Sequence, residues 1–240
     1  MYSEHASRFR GAVVWTRGTG PGGPCPVLPD GCMDLLWIDG TLSVAGPDTR
    51  AGFAGTDVRD HCAGVRLPPG AAPALLGVPA HELRDQRPAL ADVWTGRRAR
   101  PLVRRLRAAR DPVAELEAIA LDLAAASPLP DPLPAAVARR LAEGHGVAAT
   151  AEAVGLGARQ LHRRSLDAFG YGPKTLARIL RLQRALGLVR AGVPFAATAA
   201  RAGYADQAHL SRDLRALTGL TLTGYAASAG SDTAPRPGPY

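Results

Sequence analysis

A chain of 240 residues with 46% hydrophobic content and a formal net charge of +8 has the means to bury one large core or two small ones, which excludes a coreless chain. No apolar run approaches the roughly 20 residues that cross a bilayer, and the opening MYSEHASRFRG has no apolar signal core, so a cytoplasmic protein without a membrane partner is expected. Cys25, Cys32 and Cys62 are odd in number and lack CxxC spacing, which excludes a disulfide framework or a zinc knuckle and leaves no cofactor to expect.

In chain order, the first 70 residues are punctuated by Gly and Pro and hold short β-like runs at 9–15, 34–38, 41–45 and 62–67. Asp39-Gly40 separates the second run from the third, and both residues tolerate the positive φ of a type I′ turn, which predicts a two-residue hairpin. From Pro73 onward the pattern turns helical. The stretch ending in Val78-Pro79-Ala80-His81-Glu82-Leu83 either lines a pocket or only turns into a helix, and helices follow at 101–109 and 111–126. Asp111 is suited to accept the N-cap bonds of the second, with Pro112 at its first position. Four prolines in SPLPDPLP, at 127–134, rule out a continuous helix and mark a linker.

Beyond the linker every segment reads as helix, at 134–143, 148–154, 158–169, 173–190 and 206–217. The long helix opened by Gly172-Pro173 carries Leu176, Ile179, Leu180, Gln183, Leu186 and Val189 near a 3.6-residue period, with Lys174, Arg178, Arg181 and Arg184 on its other faces. Two stretches repeat one plan. ATAEAVGLGARQLHRRSLDAFG begins at Ala149 and ATAARAGYADQAHLSRDLRALTG at Ala197; each passes from an Ala-rich helix through a Gly turn into a helix dotted with Arg, His and Gln. That is the layout of a helix-turn-helix. The turn glycines, Gly155 and Gly203, match at an offset of 48, but the first buried leucines, Leu161 and Leu210, match at 49, so the second reading helix enters one residue later. Charge follows the repeats: residues 131–240 hold 14 Lys+Arg against 7 Asp+Glu, or +7, while residues 1–130 hold 15 against 14, or +1. A basic half beside a near-neutral half suits a DNA-binding domain joined to something else. An arginine-rich composition, with Lys174 the single lysine, is the alternative account of the charge taken alone.

The doubled unit with its spacer helix, and above all Gly203-Tyr204-Ala205-Asp206-Gln207-Ala208-His209-Leu210-Ser211-Arg212, closely resembles the DNA-binding domain of the AraC-type transcriptional regulators over residues 133–226. The resemblance implies two non-equivalent recognition helices, joined by a rigid helix, in successive major-groove segments of double-stranded DNA. With Leu161 inward, Arg159, His162 and Arg163 face out at positions where the family reads bases; in the second helix the matching set is Gln207, His209, Ser211 and Arg212. Arg offers two bonds to guanine and Gln suits adenine. Lys174 and Arg178 are assigned to the DNA backbone. The bland alternative is that some of these touch only phosphate or form intrahelical pairs such as Arg163 with Asp167. The chain departs from the family where Ser165, Leu214 and Thr218 take aromatic positions and Leu222 that of a usual proline.

The expected architecture is α+β: a mixed β-rich and helical N-terminal domain at 1–126, a Pro-rich linker at 127–134, an all-α domain of two helix-turn-helix units joined by a long helix at 135–226, and a disordered tail at 227–240. In this family the N-terminal domain is often a cupin-like barrel. Here LPDGCMDLLWIDG and GVRLPPGAAPALLGVPAHELRD resemble the shorter, uncharacterised domain of a subset of these regulators. The resemblance implies a sensor of a small-molecule effector; the alternative is a domain that only forms a homodimer or docks on a partner such as RNA polymerase. An enzyme is not expected. Asp30, Cys32, Asp34, His61 and Cys62 would be raw material for a metal site or a Cys-His nucleophile, but nothing in the sequence brings His61 to the others. The alkylation-repair chemistry of other AraC-type proteins needs a four-cysteine zinc site, which three cysteines do not make.

Overall fold

The computed structural model describes residues 2–18, 26–53, 62–94, 96–127 and 131–229. Strands β1 (Tyr2–Ala6), β2 (Val13–Arg17), β4 (Met33–Ile38), β5 (Thr41–Ala45) and β7 (Cys62–Leu67) form an antiparallel sheet in the order β1-β2-β7-β4-β5, and β3 (Pro26–Val27) pairs with β6 (Gly52–Phe53) as a separate ribbon. At the β4–β5 turn Asp39 and Gly40 adopt φ of 48° and 74°, the left-handed pair that a type I′ hairpin requires. Cross-strand partners Val14, Val65, Leu35 and Val44 share one sheet face and are fully buried. Helices α1 (Ala72–Leu76), α2 (Leu90–Val93), α3 (Gly96–Ala108) and α4 (Pro112–Ala126) complete that core, with Leu106, Leu116 and Ile119 sealed inside it. On the opposite face Trp15 Nε1 donates to Asp34 Oδ1 at 2.6 Å, and a Cβ at Gly64 would fall 2.3 Å from the Trp15 ring, so that strand position needs glycine.

The helical half comprises α5 (Pro132–Ala142), α6 (Val147–Ala153), α7 (Ala158–Phe169), α8 (Pro173–Arg190), α9 (Phe195–Ala202), α10 (Gln207–Thr218) and α11 (Leu222–Ala229). Both helix-turn-helix units are present, and α8 serves both. Its Leu176, Ile179 and Leu180 pack with Val137, Leu141, Leu161 and Phe169 of the first unit, and its Leu182, Ala185, Leu186 and Val189 with Leu210, Leu214, Leu217 and Tyr225 of the second. One helix thus fills two cores, and the two units cannot turn independently without opening one of them.

The sheet is open, with β1 and β5 at its edges, so the cupin-like expectation is met as an antiparallel sheet and not as a closed barrel among the described residues. The run at 9–15 becomes a strand only from Val13, because Phe9 carries the turn that leads into it. Strand β1 was not foreseen. Helix α3 begins at Gly96, ahead of the expected 101, and continues through Pro101, since burying Ala99 and Leu106 outweighs the roughly 3 kcal/mol cost of an interior proline. Asp131 caps α5 by accepting from Leu133 N, so part of the expected linker is helix, its prolines lying in a first turn that needs no intrahelical donor. Residues 128–130, together with Cys25 and His61, lie outside the described residues. Helix α11 reaches into the expected tail, of which 230–240 also lie outside.

Ser165 is fully buried, and its hydroxyl has no hydrogen-bond partner among the described residues. Removing an unpaired buried hydroxyl relieves a desolvation penalty on the order of 1 kcal/mol. Thermal unfolding of Ser165→Ala should therefore show an unchanged or raised Tm, whereas Phe169→Ala should lose about 3 to 5 kcal/mol.

Candidate DNA-binding face and the contacts behind it

Helix α7 buries Leu161, Ser165 and Phe169 at i, i+4 and i+8, which leaves Arg159, His162 and Arg163 exposed. The two arginines project into solvent. His162 lies on the flank, over the N-terminus of α8: a Cβ at Gly172 would sit 2.9 Å from its Nε2, so glycine there makes room for the imidazole. The i,i+4 pair of Arg163 with Asp167 does not form; Asp167 faces His81 Nδ1 at 3.5 Å instead.

Helix α10 begins where Asp206 accepts from His209 N at 2.6 Å, and it buries Leu210, Asp213, Leu214, Leu217 and Thr218. Gln207 and Arg212 are exposed, while His209 and Ser211 are half-buried. The His209 ring meets Tyr204 edge-on at 5.1 Å, so it is packed as well as presented. Beneath them Asp213, at 6% exposure, accepts from Tyr204 Oη at 2.9 Å and from Arg178 Nε and lies 3.5 Å from Arg181 Nη2. Arg181 in turn stands 4.4 Å over the Tyr204 ring. Burial, and then the Asp213 carboxylate, hold the Tyr204 hydroxyl protonated well above the ordinary phenol range. Arg178, expected at the DNA backbone, gives its Nε to this brace between α8 and α10 while its side chain stays 41% exposed. Lys174 is exposed at the start of α8.

Sequence reasoning missed the residue that joins the two units. Arg184, midway along α8, donates from Nη1 to Ala142 O at 2.7 Å and from Nη2 to Ala202 O at 2.6 Å. Those carbonyls end α5 and α9, where the helix dipole favours a cation. Gly144 and Gly203 flank the guanidinium, and a Cβ at Gly144 would stand 3.1 Å from it. Asp213 left a faint trace in the sequence, as a charged residue three positions after a buried leucine; Arg184 left none.

The N-terminal half grips both units from behind. On the first, Arg84 Nη1 donates to Gly170 O at 3.4 Å, and a Cβ at Gly170 would fall 2.5 Å from Pro47 Cγ and 3.1 Å from Ala80 O. Against α8, Gln183 Nε2 donates to Pro29 O at 2.5 Å, which explains a glutamine on that apolar stripe. On the second unit Ala51 N donates to Leu217 O at 2.7 Å, and Leu28 inserts into the core of α9 and α10. These contacts meet the C-terminal ends of α7 and α10 and leave the N-terminal turns of both open. Between the halves runs a cleft of about 1340 Å³, lined by Phe9, Pro68, Leu75, Ala124, Ala138 and Leu180, with Arg10 and Arg139 at its rim. No group of three or more His, Cys, Asp or Glu is placed to hold a metal among the described residues, and none of their helices is long and apolar enough to cross a membrane.

Residues 150–228 match a family described as a helix-turn-helix domain, and residues 12–89 match a domain of unknown function, DUF6597. No curated protein matches the sequence. Among solved structures, ToxT from Vibrio cholerae O395 bound to (E)-4-(8-methylnaphthalen-1-yl)but-3-enoic acid is similar at 9% identity and a TM-score of 0.50, covering 95% of this chain and 99% of that one. An apo ToxT variant from Vibrio cholerae strain SCE256 gives 10% identity and a TM-score of 0.49 over 92% and 99% of the two chains. Wild-type ToxT of that strain bound to an unsaturated fatty acid gives 10% and 0.45 over 90% and 94%. The first of these likenesses concerns the fold alone.

Arg184→Met keeps the aliphatic stem and removes every donor. It should lower Tm by several degrees, since two helix-end carbonyls lose their partner, and binding-site selection should recover a broader range of spacings between half-sites than the parent chain selects.

Proposed function

We propose that the AraC-type helix-turn-helix domain of this chain, a DNA-binding transcription regulator, reads an asymmetric site in successive major-groove segments through α7 and α10. The observation that carries the proposal is the pairing of two buried leucine faces with two outward arginine faces on one rigid spacer. Helix α8 has 18 residues and spans about 27 Å, close enough to the roughly 34 Å of one DNA turn to hold two readers about a turn apart. Arg159 and Arg163 are assigned to guanine edges in one segment, and Arg212 with Gln207 to guanine and adenine edges in the other. His162, His209 and Ser211 complete the two sets from the flanks, and Lys174 is assigned to a phosphate. Arg178 acts at the DNA through its hold on α10.

Effector control is the second part of the proposal, with the cleft as the place where a small molecule would act. The same N-terminal half touches α7, α8 and α10, so a ligand wedged there would alter the angle between the readers. This favours a sensing role over mere homodimer formation or docking on RNA polymerase. The protein would work in the cytoplasm, where its DNA is.

Arg163→Ala and Arg212→Ala should each relax base preference in a different half of one site selected from random DNA, at about 1 to 3 kcal/mol per lost bidentate contact. Lys174→Ala should weaken all sequences alike and reduce the salt slope by about 1. If the two arginine variants also weakened all sequences equally, they would be phosphate contacts and the base assignment would fall.

A further inference from the structure

Helix α3 and its C-terminal end carry seven arginines between positions 97 and 110, and no acidic residue occurs from Val93 to Arg110. The structure divides their work. Arg98 stacks over Trp94 at 3.6 Å, Arg105 bridges to Glu115 at 2.7 Å and Asp122 at 2.8 Å, and Arg107 Nη2 donates to Gly40 O at 3.2 Å, so these three tie α3 into the fold. Arg97, Arg100, Arg104 and Arg107 are exposed and gather around one hollow of about 510 Å³ between α2 and α3, floored by Ala91 and Val103. At 3.6 residues per turn they fall within an arc of roughly 80° and along about 15 Å of helix. Like charges at these spacings repel, and no carboxylate lines the hollow to offset them.

We propose that this hollow binds a small polyphosphate anion of the nucleotide type. Guanidinium forks give phosphate oxygens paired bonds that lysine does not, and their planes offer a surface on which a ring stacks. The apolar floor accepts the ring, and the arginine row spans a di- or triphosphate. Placement argues against DNA as the occupant. Arg107 donates to Gly40 O at the β4–β5 turn, the end of the hairpin opposite Pro47, where the N-terminal half meets α7.

The test is calorimetry on the full chain without DNA, so its outcome stands apart from the DNA-binding proposal. The probes are inorganic tripolyphosphate and a nucleoside triphosphate. Expected is saturable one-to-one binding, tighter for the nucleotide, that falls at least tenfold in R100A/R104A. It should fall less in R100K/R104K, which keeps charge without forks, and stay unchanged in R159A/R163A, whose arginines are exposed on the opposite half. Melting curves check that each variant folds, with R97A/R104A as the alternate pair. The proposal is overturned if binding does not saturate by low millimolar probe, if all the double alanine variants lose affinity equally, or if none does. It is equally overturned if a Glu-rich peptide binds this face more tightly than either phosphate probe, since the hollow would then be a protein-docking surface.

Discussion

The placement of one guanidinium constrains everything the helical half does. Arg184 closes the carbonyl ends of α5 and α9 at once; α5 leads into the α6–α7 unit, and α9 opens the unit it forms with α10. A half-buried donor with two acceptors on separate units is costly to pull apart, because both bonds must be given up together. The shared helix α8 acts in the same direction by filling both cores. The two helix-turn-helix units are therefore held as one rigid piece, and the spacing between α7 and α10 is a property of the fold.

The N-terminal half adds a second constraint across this rigid piece. It touches the first unit through Gly170, the spacer through Gln183 and the second unit through Leu217. The N-terminal half therefore bears on how α7, α8 and α10 are placed relative to one another. The cleft is lined by Ser127, Asp131, Ala142 and Arg184, so it borders the α5 end of the Arg184 brace.

Much of this was legible in the sequence, and the boundary is physical. The hairpin at Asp39-Gly40, the helices at 158–169 and 173–190 and the cap at Asp111 rest on local conformational preferences, which travel with the residues. Strand β1 was not legible because YSEHA is polar on an edge, and the β3–β6 ribbon because two-residue strands exist only through their pairing. The outward sets on α7 and α10 followed from periodicity around Leu161 and Leu210. Arg178, Arg184 and Gln183 did not: their partners are a carboxylate 35 residues away and carbonyls up to 154 residues away, and no periodic pattern records such distances.

Leu28 belongs by sequence to the first half and by packing to the core of the second reader. A C-terminal fragment cut from the chain would lack that side chain in the core that α8, α9, α10 and α11 share. That core is completed by a residue synthesised well before any of the helices around it. The completed second reader is in this sense a product of the whole polypeptide, and a binding constant measured on the severed helical half would describe a different object.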